Sequence, residues 1–158
     1  MTKFTHIDAS GQPNMVDVTE KKMTTRTAIA RTLMVLGSEV IKSLKENNYS
    51  TKKGPVFQTA IVAGNMAVKK TSDLIPLCHP LAIGKCQIDI NINENNEIVI
   101  ECMVKTEGKT GVEMEALTGC SVAALTVYDM VKSFSHNIII KETKLISKTG
   151  GKSDFNAN

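Results

Sequence analysis

Between residues 86 and 104 the chain reads as two facing strands, and no other stretch narrows the fold as much. Cys86, Ile88, Ile90 and Ile92 alternate with Gln87, Asp89, Asn91 and Asn93. This period of two turns one row toward a core and the other toward solvent. Glu94-Asn95-Asn96 makes the turn, and Ile98, Ile100, Cys102 and Val104 alternate back as the hairpin partner. The apolar face of such a hairpin needs a cover, and residues 106–132 (TEGKTGVEMEALTGCSVAALTVYDMVK) supply one. This stretch opens polar and Gly-punctuated, then runs on without Pro. Met114, Leu117, Ala124, Tyr128 and Val131 recur at helical spacing, which predicts a long helix with these residues inward. Its small middle residues, Gly119, Cys120, Ser121, Ala123 and Ala124, admit close approach by more than one neighbour.

The remaining elements fall into place around that pair. Residues 26–36, rich in Thr, Ile and Val, predict a first strand, which Gly37 breaks. Ser38 is expected to N-cap a helix over residues 38–47, with Val40, Ile41 and Leu44 inward. Residues 47–54 read as a polar, basic loop and residues 56–70 as a second apolar helix. Pro76 and Pro80 forbid a helix through residues 71–80 and predict a rigid, extended segment that fixes His79. Residues 137–147 form a last strand. The resulting order, β-α-α-β-β-α-β, is that of an α+β ferredoxin-like plait (split βαβ) with an antiparallel sheet and an added helix. A sheet covered on one face leaves the other partly apolar, so an oligomer is expected. The organisation is an N-terminal arm (1–25), a single α+β catalytic domain (26–148) and a flexible, basic C-terminal tail (149–158).

Composition sets outer limits. A chain of 158 residues with 42% hydrophobic content builds one core. A net charge of +3 is too mild for nucleic acid or a membrane surface, yet compatible with a local anion site. RNA binding is further disfavoured by the lack of aromatic pairs in the central strands. There is no apolar signal-peptide core and no run of membrane-spanning length. Cys78, Cys86, Cys102 and Cys120 have no CxxC spacing and sit among apolar residues, which reads as four buried, reduced thiols in a cytoplasmic protein.

The polar residues of the long helix gather at its ends. Glu113 and Glu115 lie in the first turn, and Asp129 and Lys132 share one face of the last. Glu115 and Asp129 differ by about 40° around the axis but about 21 Å along it. One small-molecule site can use both ends only across a two-fold interface. The alternative is that the acids cap the helix and Asp129–Lys132 is a solvated pair. Gly108-Lys109-Thr110 and Gly151-Lys152-Ser153 are not P-loops, because the required upstream Gly is absent. The first of these, a Gly-flanked turn entering a helix, can still bind an anion. His79 has no second ligand at metal spacing, and Lys53 is a candidate for phosphate contact or proton transfer. Several lysines, one His and three carboxylates on an aliphatic chain suit acid–base chemistry on a small anionic substrate. An oligomeric purine-nucleotide-binding module without catalysis is the competing reading.

SDLIPLCHPL (72–81), KTGVEMEAL (109–117), ALTVYDMVK (124–132) and SKTGGKS (147–153), together with MVDV (15–18), KKGPVFQTAIVAG (52–64) and AVKKTSDLIP (67–76), resemble the molybdenum cofactor biosynthesis protein C family, the cyclic pyranopterin monophosphate synthases. One departure is Asn14, where the family commonly has His. The resemblance implies a lyase that converts (8S)-3′,8-cyclo-7,8-dihydroguanosine 5′-triphosphate, made by a radical SAM GTP cyclase, to cyclic pyranopterin monophosphate and pyrophosphate. It implies Asp129, Lys132, Lys53 and His79 as catalytic residues. Leu77, Cys78, His79, Met114, Glu115, Glu113, Arg26 and Lys148 fall on substrate-binding positions. A homohexamer built as a trimer of dimers, with the pocket at the dimer interface, is implied as well. No cofactor or metal is required by the sequence, and Mg²⁺ would enter only with the triphosphate. If Lys53 is crowded by other cations and partly desolvated, its pKa is expected to fall so that it shuttles protons near neutrality.

Overall fold

The computed structural model describes residues 10–157. Its centre is an antiparallel sheet that starts from the strands anticipated above. β4 (Lys85–Ile92) pairs with β5 (Glu97–Gly108), and β5 pairs with the long β1 (Thr24–Val35). β6 (Ile139–Thr149) adds to the other side of β1 and carries the short β7 (Phe155–Asn156). The strand order is β4-β5-β1-β6-β7. Alternation decides the faces: Ala28, Ala30, Thr32 and Met34 of β1 are buried beside Ile98, Ile100, Cys102 and Val104 of β5. On the opposite face Ile29, Leu33, Val99 and Met103 are only half-buried, around a cross-strand Arg31–Glu101 ion pair of 2.9 Å.

Helices cover the buried face. α1 (Ser38–Glu46) turns Val40, Ile41 and Leu44 into the core, and α2 (Val56–Lys69) packs on α4 (Glu113–Val131). Glycine is required at that crossing. A Cβ on Gly119 would lie 2.7 Å from both Cys102 Sγ and Val68 Cγ2, and one on Gly64 would meet Ile88 Cδ1 at 2.5 Å. Overpacking of this kind costs about 1–3 kcal/mol, so the α2–α4 approach depends on bare backbone. The chain is therefore α+β with an antiparallel sheet and, among the described residues, four helices. None of them is long and apolar enough to cross a membrane.

Several local expectations differ from the structure. Ser38 is the first residue of α1, and the cap position belongs to Gly37, whose φ of 88° turns the chain out of β1. The buried stripe of α4 is Ala116, Gly119, Cys120, Ala123, Ala124, Val127, Met130 and Val131, whereas Met114 is exposed and Leu117 and Tyr128 are half-buried. The small residues win the inward positions because only they let α2 and the sheet approach together. The segment after α2 is not extended throughout, since Thr71–Leu74 forms the one-turn helix α3 (Thr71–Leu74), with Thr71 Oγ1 donating to Val68 O. The helix ends at Leu74, and the stretch expected to be extended turns through residues 75–77 before running irregularly past His79. The basic loop contains a two-stranded ribbon, β2 (Ser50–Thr51) with β3 (Gly54–Pro55). Within the segment expected to be a flexible tail, Phe155 and Asn156 form β7 and pair with Lys148 and Ser147 of β6. Cys102 and Cys120 are buried, but Cys78 and Cys86 are only half-buried. The arm over residues 10–23 is described; its first nine residues lie outside the described residues.

Candidate functional site

At the start of α4 the chain forms a cavity of about 330 Å³. Two sequence-distant segments meet there: Leu77, Cys78 and His79 from the irregular stretch, and Glu113, Met114 and Glu115 from the first turn of the helix. Each segment is held by local structure. Cys78 N donates to Ile75 O at 3.1 Å, closing a turn behind Pro76, and Ala116 N donates to Val112 O at 3.1 Å to begin the helix. His79 Nε2 donates to the carbonyl of Val16 at 2.8 Å.

The two acids of the first turn do different things. Glu115 is 4% exposed. Burial raises its pKa, the nearby Glu113 raises it further, and its own backbone N–H opposes this. Burial also raises the Cys78 thiol, with Glu115 adding to the effect, so Cys78 is a neutral lining group rather than a thiolate. Glu113 instead turns outward to Lys148 at 3.1 Å. A Cβ on Gly111 would collide with the Glu113 carboxylate at 1.9 Å, so that glycine leaves room for the pair.

A second cavity of about 180 Å³ adjoins the first and shares Lys21, Thr110, Gly111 and Glu113 with it. Arg26, Lys109, Lys148 and Lys152 also line it. Strand pairing puts them there: Arg26 lies opposite Thr106 on β5, Ala28 opposite Lys148 on β6, and Arg26 Nε donates to Gly108 O at 2.9 Å. Gly150 folds the final Lys-Thr-Gly-Gly turn over the start of β1. Its φ is 81°, its carbonyl accepts from Thr24 Oγ1 at 2.7 Å, and a Cβ would strike Thr25 O at 1.9 Å. Both Gly-Lys-Ser/Thr fragments thus flank one cation-lined recess. Lys21, Lys109 and Lys152 were not among the residues selected from sequence. The signal for Lys109 and Lys152 was the pair of fragments, whose meaning depended on β1 bringing the two together, and Lys21 had none.

The third group of residues is elsewhere. Asp129, near the end of α4, accepts from Lys53 Nζ at 2.7 Å and from Lys132 Nζ at 2.8 Å. Lys53 Nζ also donates to the Asp129 carbonyl at 2.9 Å. Lys53 sits in the turn of the β2–β3 ribbon, where its own N–H is held by Thr51 Oγ1 at 3.1 Å and Gly54 takes a φ of 113°. Hydrogen bonds from Lys132 and then Lys53 hold the Asp129 carboxyl down at about 2. The same contact raises Lys132, which reverses, at that lysine, the lowering expected for a lysine among cations, because a carboxylate sits between the two ammonium groups. All three side chains are about half exposed. With Glu115 and Asp129 about 21 Å apart along the helix, one chain does not bring the two groups into one site.

The comparisons with known proteins agree with one another. The model of the MoaC family matches residues 15–151. The chain is 56% identical over 155 residues to the molybdenum cofactor biosynthesis bifunctional protein of Synechocystis sp., covering 96% of this chain and 45% of that one. It is 49% identical over 168 residues to molybdenum cofactor biosynthesis protein 1 of Dictyostelium discoideum, covering 96% of this chain and 27% of that one. It is 48% identical over 155 residues to cyclic pyranopterin monophosphate synthase of Xanthomonas campestris pv. campestris, covering 98% of this chain and 94% of that one. The chain therefore spans less than half of the first two relatives and nearly all of the third.

Proposed function

This chain belongs to the MoaC family, and we propose that it acts as a cyclic pyranopterin monophosphate synthase in molybdenum cofactor biosynthesis. The substrate in this reading is (8S)-3′,8-cyclo-7,8-dihydroguanosine 5′-triphosphate, delivered by a radical SAM GTP cyclase. The single observation that carries the reading is the junction of two unlike cavities, one lined by Leu77, Cys78 and Glu115 and the other by Arg26, Lys109, Lys148 and Lys152. A guanine-derived ring with exchangeable N–H groups suits the first, and a triphosphate suits the second.

The chemistry follows from that placement. The imidazole-derived ring opens, a pyrazine ring closes, and a ribose-derived hydroxyl attacks the α-phosphorus while pyrophosphate departs. Phosphoryl transfer of this kind needs charge neutralisation on the leaving oxygens, which the lysines and Arg26 provide. The ring steps need proton donors and acceptors. Lys53, Lys132, Asp129 and His79 fill these roles, with Lys132 entering as a charged donor. Magnesium would arrive on the triphosphate, and Glu113 is the carboxylate placed to meet it in the cation-lined cavity.

The two ends of α4 join in one site if a two-fold partner lays its Lys53–Asp129–Lys132 cluster against the cavity. A homohexamer built as a trimer of dimers in the cytoplasm fits this reading. The half-buried apolar residues of the open sheet face also favour assembly. The strand order β4-β5-β1-β6, with β1 central and each crossover made through helices, supports a ferredoxin-like plait.

The test is product analysis. Purified protein is incubated with enzymatically made cyclised dihydro-GTP, and pyrophosphate and the oxidised fluorescent pterin are assayed beside Asp129→Ala. Pterin from the wild type and at least about a hundredfold less from the variant is expected. Nucleotide binding without pterin, from a folded oligomer and intact substrate, would leave a binding module instead.

A further inference from the structure

We infer that residues 16–21 form a strap across the substrate cavity and that Lys109 is the positioning residue that latches it shut. Residues 14–23 form no helix or strand, so neither ladder hydrogen bonds nor core burial fixes them. They are nevertheless shaped and tied. Asp17 Oδ1 accepts from Thr19 N at 2.8 Å and from Thr19 Oγ1 at 2.6 Å, and Lys21 N donates to Val18 O at 3.1 Å. The segment is thus a pre-formed turn rather than a loose end. Val16 and Val18 are half-buried while Asp17, Thr19 and Glu20 are exposed. The two valines and Lys21 face the cavity and form part of its wall.

Two bonds join this turn to the body of the protein, both from side chains to strap carbonyls. His79 Nε2 donates to Val16 O at 2.8 Å, and Lys109 Nζ donates to Thr19 O in a short contact. Asp17 strengthens the attachment. The Thr19 hydrogen bonds hold its carboxyl below the ordinary range, and the charges of Lys109 and His79 add to this. A segment with so few buried contacts opens at low free-energy cost, and its valines wall the same cavity as Glu115. Lys21 moves with the strap and lines both cavities, so closure also brings a cation to where a triphosphate would lie. Because His79 gives its Nε2 proton to Val16, Nδ1 is the nitrogen left to act on substrate.

Lys109 serves as the test position because it lies outside the proposed acid–base set. Limited trypsin cleavage after Lys21 and Lys22 in the nucleotide-free protein reads the latch directly and does not depend on the proposed reaction. Cleavage in the Lys52–Lys53 turn serves as the internal reference. In Lys109→Met the strap is cleaved about three- to tenfold faster, the population change expected for one lost solvent-exposed hydrogen bond. Lys109→Arg restores protection, and Asp17→Ala, which breaks the turn itself, opens the strap in the same way. On the synthase reading, turnover of Lys109→Met also changes because the same side chain lines the cation-lined cavity, so strap cleavage and not kcat reads the latch. Wild-type strap cleavage in Lys109→Met overturns the latch. If KM rises with cleavage unchanged, Lys109 is a direct phosphate ligand and the strap is unlatched by it.

Discussion

At the start of α4 a carboxyl group is buried in a cavity wall, whereas near the end of the same helix another stands in solvent between two ammonium groups. Glu115 has its pKa raised by burial, and Asp129 is held near 2 by Lys132 and Lys53. One end supplies shape and a desolvated hydrogen-bonding group, and the other supplies mobile protons and fixed charge. A recognition site gains from rigidity and loss of water, while proton transfer gains from groups free to move. The helix separates these demands by its own length, so one site uses both ends only if a second chain supplies one of them.

The largest effect is expected at the exposed end. Lys53→Arg keeps the charge and the contact with Asp129 but removes a group that can release its proton, because a guanidinium does not deprotonate in this range. Turnover should fall by about a hundredfold or more, while nucleotide affinity, measured by calorimetry with GTP, stays within about threefold. Near-normal turnover would take Lys53 out of the chemistry and weaken the contrast between the ends.

An opposite pattern is expected at the buried end. Glu115→Gln removes a carboxylate that burial disfavours. A raised carboxyl pKa means that the folded state favours the protonated form. The wild type therefore loses stability relative to Gln as pH rises through and above the carboxylate range. Melting at pH 7 should be higher in the variant by about 2 °C, with the gain vanishing in acid, although KM worsens about tenfold from loss of an anionic partner to the ring. Equal melting temperatures at both pH values would show that the carboxylate is not strained by its site.

The smallest effect is the acid limb of Asp129. A depressed pKa contributes stability above the unfolded value of 3.8, and this contribution is lost as pH falls toward about 2. The pair is exposed, so the melting difference between wild type and Asp129→Asn is small at pH 6, shrinks below 3.8 and disappears only below about 2. A difference that persists in acid would point to packing rather than charge.

What could be read from the sequence follows the range of each signal. The β4–β5 hairpin and α4 were visible because their periods are local and long. The cap of α1 and the inward stripe of α4 were misplaced, since Gly37 acts through φ and Gly119 through space rather than hydrophobicity. Lys53, His79, Glu115 and Asp129 could be picked out by motif, and helix geometry already set Glu115 apart from Asp129. Neither showed that His79 joins the first and Lys53 the second. The cation-lined cavity was hidden, because Arg26, Lys109, Lys148 and Lys152 meet only through the β5–β1–β6 register. Nothing in residues 14–21 announced that their carbonyls would be held by His79 and Lys109, because backbone acceptors leave no mark in a sequence.

Subunit mixing tests most directly whether the two ends of α4 serve one site. His79→Ala and Asp129→Ala chains, each nearly inactive alone, are unfolded together in equal amounts and refolded, with exchange verified by mass. If each site takes one end from each of two chains, half of the dimers are mixed and each has one intact site. Activity then returns to about a quarter of wild type. No recovery above the parent variants, despite verified exchange, would contradict the shared site and return both groups to a single chain.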